Sequence, residues 1–188
     1  MNRVILASKS PRRKELMEKI CPGFLCDPAQ GEETVPEGLP VTETAEYLSR
    51  QKAMEVAGRH DFTDVVIGSD TVVICDGVIF GKPKDREDAV KMLRALSGKT
   101  HTVSTGVTIV SGNETESFTS ETRVTFYDLT EKEIEKYVNT GEPMDKAGAY
   151  GIQGSGALYV KKIEGDYYTV VGFPVAEVYR RLNEKKYL

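Results

Sequence analysis

The chain has 188 residues, 39% hydrophobic and 29% charged, which is enough apolar material for a real core and excludes a disordered polymer. Its 25 Lys and Arg against 29 Asp and Glu give a formal charge of −4, which argues against a broad nucleic-acid-binding surface but leaves room for a small basic pocket. No apolar run approaches the ~20 residues of a membrane span, and the opening Met1–Ala7 is too short and too soon polar for a signal peptide, so the expected setting is cytoplasmic.

The length suits one domain, 1–188, built as a single unit or as two intimate lobes. Val4 to Ala7 predicts a short buried strand. Ser10 and Pro11 then read as an N-cap and first helical residue, opening a helix to about Ile20 that buries Leu16, Met17 and Ile20. Residues 27–40, rich in Pro, Gly and Glu, predict a loop, and Thr42 caps a helix to about Ala57, ended by Gly58. Two apolar runs, 65–67 and 72–74, flank Gly68-Ser69-Asp70-Thr71, and Asp76-Gly77 is a hairpin turn into Val78-Ile79-Phe80.

Asp85 caps a helix to Leu96 with Ala89, Met92, Leu93 and Leu96 on one face, and Gly98 closes it. The alternations at 103–109 and 118–126 predict two long strands joined around Gly112-Asn113. Thr130 and Glu133 form a capping box for a helix to about Asn139. Tyr167 to Val171 reads as a further strand, and Pro174 opens a terminal helix with Val175, Val178 and Leu182 inward. Interspersed strands and helices make the class α/β, with a mixed, twisted central sheet flanked by helices.

Metal chemistry is narrowed by composition. Cys21, Cys26 and Cys75 lack paired spacing and read as reduced thiols, and the two histidines, His60 and His101, cannot build a His-rich centre. Any metal must therefore sit on oxygen ligands, which points to magnesium or manganese.

Candidate functional residues are those that act against local folding preferences. Arg12, Arg13 and Lys14 fill the first turn of the first helix, where the dipole disfavours cations. They are either a solvated basic turn or, with Ser8 and Ser10 alongside, a phosphate-binding one. Lys52 falls in the stripe Ala45, Leu48, Ser49, Val56, so it either snorkels or meets a buried anion. Asp70 between apolar segments is either a turn aspartate helped by Gly68, or a metal ligand or general base at a strand end. Glu32 and Glu33 in the preceding loop offer a second carboxylate.

Lys82, on a Gly-Pro bend, can reach a phosphate although no Walker loop surrounds it. The segment 147–154 is dense in small residues, which permit close backbone approach to a ligand, and its Gln153 offers an amide suited to a base edge. From the residues alone these clues point to a pocket for a phosphorylated ligand with a divalent metal, and they name no reaction.

The blocks Leu6-Ala7-Ser8-Lys9-Ser10-Pro11-Arg12-Arg13, Gly68-Ser69-Asp70-Thr71-Val72-Val73, Gly81-Lys82-Pro83, 92–98 and 145–154, in that order, resemble the Maf family of nucleoside triphosphate pyrophosphatases. The resemblance implies a fold similar to the inosine triphosphate pyrophosphatases, two lobes around a cleft, and cleavage between the α and β phosphates to a nucleoside monophosphate and pyrophosphate. It implies Asp70 as proton acceptor, Ser8, Arg13, Lys52 and Lys82 on the triphosphate, Lys82 and Glu33 in the catalytic set, and Glu33 with Asp70 on a magnesium or manganese ion.

Arg12, Thr71 and Gln153 match the subgroup acting on dTTP and UTP, whose bases share an O4 acceptor and an N3–H donor that one Gln amide can pair with. A single methyl separates thymine from uracil and is worth only about 1–3 kcal/mol, so both bases are expected. A homodimer is also implied. The competing readings are a pyrophosphatase for damaged purine or 7-methyl-GTP substrates, and a nucleotide-sensing regulator of septum formation that binds without turnover.

Overall fold

A computed structural model describes residues 3–188. The strands are β1 (Val4–Leu6), β2 (Leu25–Cys26), β3 (Val65–Cys75), β4 (Val78–Phe80), β5 (Thr100–Ser111), β6 (Glu114–Phe126) and β7 (Val160–Glu164). The helices are α1 (Pro11–Ile20), α2 (Thr44–Ala57), α3 (Arg86–Leu96), α4 (Glu131–Val138), α5 (Tyr167–Val171) and α6 (Val175–Glu184). The strands form one mixed sheet in the order β2-β1-β3-β5-β6-β7, with β4 hydrogen-bonded to β3. β1 runs parallel to both β2 and β3, whereas β4 and β7 are antiparallel to their neighbours. The α/β class with a mixed sheet is as the sequence implies. Among the described residues no helix is long and apolar enough to cross a membrane.

Local signals set most boundaries. The Ser10 hydroxyl accepts the Arg13 amide at 3.5 Å and Pro11 begins α1. Asp85 and Thr130 cap α3 and α4, the second through a complete capping box. Asp76 and Gly77 both take positive φ, the conformation a two-residue hairpin between twisted strands requires.

Three expectations are corrected. Residues 65–75 form one strand of 11 residues, not two runs about a turn, so Asp70 lies mid-strand. α2 starts at Thr44 behind a 3-10 turn over Val41–Glu43, and its N-cap is Glu43 rather than Thr42. Tyr167–Val171 is helical rather than extended. There Asp166 accepts from the amide and hydroxyl of Thr169 at 2.9 and 3.0 Å, a capping contact that outweighs the β-propensity of Thr169, Val170 and Val171. The strand of this region is instead β7, whose sequence Val-Lys-Lys-Ile-Glu carries too little apolar alternation to be read in advance.

Two units divide the chain. The first comprises residues to Asp70, Thr105–Ser120 and Gly172–Leu188; the second comprises Thr71–Ser104 and Glu121–Val171. In the first unit, Ile5 of β1 and Ala7 just after it pack with Val56 and Val66, and α1 lies against α6. In the second, α3 and α4 pack together over a core that includes Val73, Leu93, Leu96, Phe126, Ile134 and Tyr137.

Candidate active site

In the first unit, Gly68 and Asp70 point to the same side of β3, because side chains alternate along a strand. A Cβ on Gly68 would collide with the Ser49 carbonyl and lie 2.7 Å from the Ala53 nitrogen, so α2 rests directly on the strand backbone there. Gly106 of β5 provides a second such seat, where a Cβ would strike the backbone of Ala45. Two residues beyond Gly68 on the strand, and one turn along the helix from Ser49, Asp70 meets Lys52.

The Lys52 ammonium donates to Asp70 Oδ1 and lies 3.0 Å from Glu33 Oε1. The side chains of Lys52 and Asp70 are only 14% and 12% exposed, whereas that of Glu33 is 55% exposed. Lys52 therefore meets a buried anion rather than snorkelling.

Glu33 belongs to the 27–40 loop, which α2 and Arg59 just beyond its end hold from several points. Glu55 accepts the amides of Gln30 and Gly31 at 2.8 and 3.0 Å. Arg59 donates to Asp27 and to the Pro28 carbonyl, and Gln51 reaches Thr34. The amides of Gln30 and Gly31 hold the Glu55 carboxyl below its ordinary value. One helix thus carries the cation and fastens the loop that brings the second carboxylate.

The basic first turn of α1 lies in the same unit. Arg13 Nε donates to the Gly172 carbonyl at 2.8 Å, and its Nη1 to the buried Ser8 hydroxyl at 3.4 Å. The Gly172 carbonyl also accepts from Ser69 Oγ at 3.3 Å. Burial lowers the Arg13 pKa and the Arg12 charge adds to that, while the carboxylates of Asp70 and Glu33 oppose it. Arg13 is therefore within electrostatic reach of the carboxylate pair. Arg12, beside it, is half-buried. Since Ser10 already occupies the Arg13 amide and Pro11 has no N–H, the helix end offers an anion its side chains more than its backbone.

Thr71, Lys82 and Gln153 belong to the second unit. Thr71 is half-buried on β3, while Lys82 and Gln153 are exposed. The Gly148 amide donates to the Gly81 carbonyl at 3.0 Å, so the bend carrying Lys82 is tied to the segment carrying Gln153. Gly148 has φ +71° and lies against Val73, with a built Cβ 2.9 Å from Val73 Cγ2. The glycine density noted in the sequence is thus a packing requirement in this part of the segment.

A sequence reading offers no route to Gly172 or Glu55. The first acts through a backbone carbonyl and the second through a fold-dependent contact with two amides.

Residues 3–185 match the family model described as Maf-like protein. The chain belongs to the Maf-like family. It is 50% identical over 182 residues to the dTTP/UTP pyrophosphatase of Bacillus pumilus (strain SAFR-032), covering 97% of this chain and 96% of that relative. It is likewise 50% identical over 201 residues to the dTTP/UTP pyrophosphatase of Agathobacter rectalis, covering 98% of each. Among solved structures, the Staphylococcus aureus Ham1 protein aligns over 98% of this chain and 100% of that one, with a TM-score of 0.56 at 13% identity, and so shares the fold.

The donor set of this Maf-like chain fits a hard divalent cation of a particular kind. Among the described residues no group of three or more His, Cys, Asp or Glu is arranged to hold a metal. Glu33 and Asp70 converge on one ammonium and supply two carboxylates. Magnesium is commonly bound by one or two carboxylates together with substrate phosphates rather than by an all-protein cage.

Proposed function

We propose that this protein hydrolyses nucleoside triphosphates, dTTP and UTP foremost, between the α and β phosphates. One water is consumed, and the products are a nucleoside monophosphate, pyrophosphate and a proton. The observation that carries this reading is the Lys52 ammonium shared by Asp70 and Glu33, in the same unit as the partly buried Arg13 whose charge those carboxylates favour. It combines cations for a polyphosphate with carboxylates for a metal and a water, in a chain half identical to relatives named dTTP/UTP pyrophosphatases.

In this reading Asp70 accepts the proton of the attacking water, the role that a positioned carboxylate performs in general base catalysis. Lys52 holds the Asp70 carboxylate in place and, with Arg13, Ser8 and Lys82, binds the triphosphate oxygens as charge shifts toward the leaving pyrophosphate. Arg13 is oriented for this by the Gly172 carbonyl. Glu33 and Asp70 would hold magnesium or manganese, which when bound neutralises phosphate charge. Arg12, Thr71 and Gln153 select the base. The Gln153 amide can donate to O4 and accept from N3–H, a pairing common to thymine and uracil. The proposed setting of the reaction is the cytoplasm.

The test is pyrophosphate release with Mg²⁺ or Mn²⁺ across dTTP, UTP, CTP, dITP and 7-methyl-GTP. Preferred turnover of dTTP and UTP is expected. Turnover centred on dITP or 7-methyl-GTP would overturn the assignment of Arg12, Thr71 and Gln153 while keeping the reaction. Nucleotide binding without any turnover would replace the enzyme reading with a sensor.

A further inference from the structure

The segment from Tyr150 to Gly156 is held at both ends by side chains that the proposed reaction does not use. At its start the Tyr150 hydroxyl lies 2.8 Å from His101 Nε2, both side chains being buried. The next residue, Gly151, donates its amide to the Tyr137 hydroxyl at 3.0 Å. That hydroxyl in turn donates to Glu142 Oε1 at 2.8 Å. At the far end the same carboxylate accepts the amides of Ser155 at 3.0 Å and Gly156 at 3.3 Å. One phenol and one carboxylate, five residues apart at the end of α4 and just beyond it, thereby close a loop of backbone. Gln153 lies exposed between the closed ends.

The clamp is built in. Tyr137 is 1% exposed and stacks edge-on against Tyr159, with centroids 5.2 Å apart. Burial pushes its phenol above the ordinary value, so it stays protonated and donates to Glu142. Burial opposes ionisation of Glu142, but the Ser155 amide, the Tyr137 hydroxyl, the Gly156 amide and the Lys146 charge together hold its carboxyl below the ordinary range. Lys146 Nζ also donates to the Glu142 carbonyl at 2.6 Å, fixing the backbone on which the carboxylate stands.

The glycines follow from the same contacts. A Cβ on Gly156 would lie 2.7 Å from the Tyr137 hydroxyl and 2.6 Å from the Gly151 carbonyl, and one on Gly154 would overlap the Glu142 carboxylate.

We propose that Tyr137 and Glu142 are positioning residues that set the place of Gln153 and, through it, the contribution of the base to substrate selection. The proposal rests on the assignment of Gln153 to the base. A side chain at the tip of an unclamped glycine-rich loop samples many placements, and a displacement of about 1 Å is enough to cost a positioned contact much of its effect. Removing a clamp residue should therefore act like a weakened Gln153 and leave the phosphate chemistry alone.

The experiment compares dTTP with 1′,2′-dideoxyribose 5′-triphosphate, which carries the same triphosphate and no base, in wild type, Tyr137→Phe, Glu142→Gln and Gln153→Ala. The readout is the ratio of kcat/KM for the two substrates, a quantity that general damage to the fold would not move. In Tyr137→Phe and Glu142→Gln the ratio should fall about tenfold, through a raised KM for dTTP, with kcat within about threefold of wild type. Amide exchange at Gly151, Ser155 and Gly156 should quicken in the same variants while α1 is unaffected. Tyr137→Phe is nearly isosteric and keeps the test available if Glu142→Gln folds poorly. A ratio unchanged in both clamp variants, with Gln153→Ala lowering it, overturns the clamp and spares the base assignment. A ratio unchanged in Gln153→Ala as well overturns both.

Discussion

Gly68→Ala tests how closely the site depends on backbone packing. The added methyl would collide with the Ser49 carbonyl and lie 2.7 Å from the Ala53 nitrogen and 2.9 Å from its Cβ, well inside the 3.4 Å at which ordinary contact begins. Two of these three atoms are helix backbone, which cannot swing aside, so α2 must retreat from β3 by on the order of 1 Å. Overpacking of this kind costs about 1–3 kcal/mol, and a clash with backbone belongs at the upper end. For a chain of this length about 3 kcal/mol lowers Tm by roughly 6–12 °C.

The same retreat carries Lys52 away from Asp70, and misplacement on this scale costs about 10²-fold in rate. Thermal melts and pyrophosphate release from dTTP read the two effects. Gly58→Ala is the control, because Gly58 has φ −64° and a Cβ there meets nothing closer than 3.5 Å. It should leave both quantities nearly unchanged. A Gly68→Ala protein with wild-type Tm and wild-type kcat/KM would refute the view that α2 sits on β3 through this glycine.

Two further predictions concern the loop bearing Glu33 and a buried histidine. Glu55→Ala removes the acceptor of the Gln30 and Gly31 amides; kcat/KM for dTTP should fall about tenfold and exchange at those amides should quicken, and unchanged kinetics would detach Glu33 from the latch. In the wild type the depressed Glu55 carboxyl makes this contact complete above its unfolded value of 4.5 and lost as pH falls through the lower folded value. Burial pulls the His101 pKa from 6.5 to about 4. The unfolded chain therefore binds more protons between those values, so stability should drop by about 2–3 kcal/mol as pH falls from 7 to 4. Urea unfolding of His101→Phe should show that much less pH dependence than wild type, and an equal dependence would contradict the assignment.

What the sequence reveals here is what local chemistry encodes. Ser10, Asp85 and the Thr130–Glu133 box each satisfy backbone groups within four residues, Asp76-Gly77 supplies the positive φ of its turn, and each appears where the pattern places it. Lys52 stands out because a cation in an apolar stripe needs a partner, and its partners are Asp70 and Glu33.

The misreadings share a different cause. Gly68 resembles a turn residue because a glycine inside a strand is weak on propensity, yet its purpose is to admit α2. Tyr167–Val171 looks extended because its aromatic and β-branched side chains favour strands, whereas Asp166, accepting from both the amide and the hydroxyl of Thr169, makes it helical. Gly172 orients Arg13 through a carbonyl that any residue type possesses, and Glu142 gathers amides from residues more than ten positions away. Neither leaves a spacing to find.

The central claim is that Asp70, held by Lys52, activates water for attack on the triphosphate. The most direct test is Asp70→Asn, an isosteric change that keeps a hydrogen-bonding group in place while removing the proton acceptor. dTTP turnover with Mg²⁺ and dTTP binding are measured on the same preparation. The account predicts that kcat falls by about 10²–10⁴-fold, the usual contribution of a positioned base, with nucleotide still bound. An Asp70→Asn protein that releases pyrophosphate from dTTP within tenfold of the wild-type rate would contradict it.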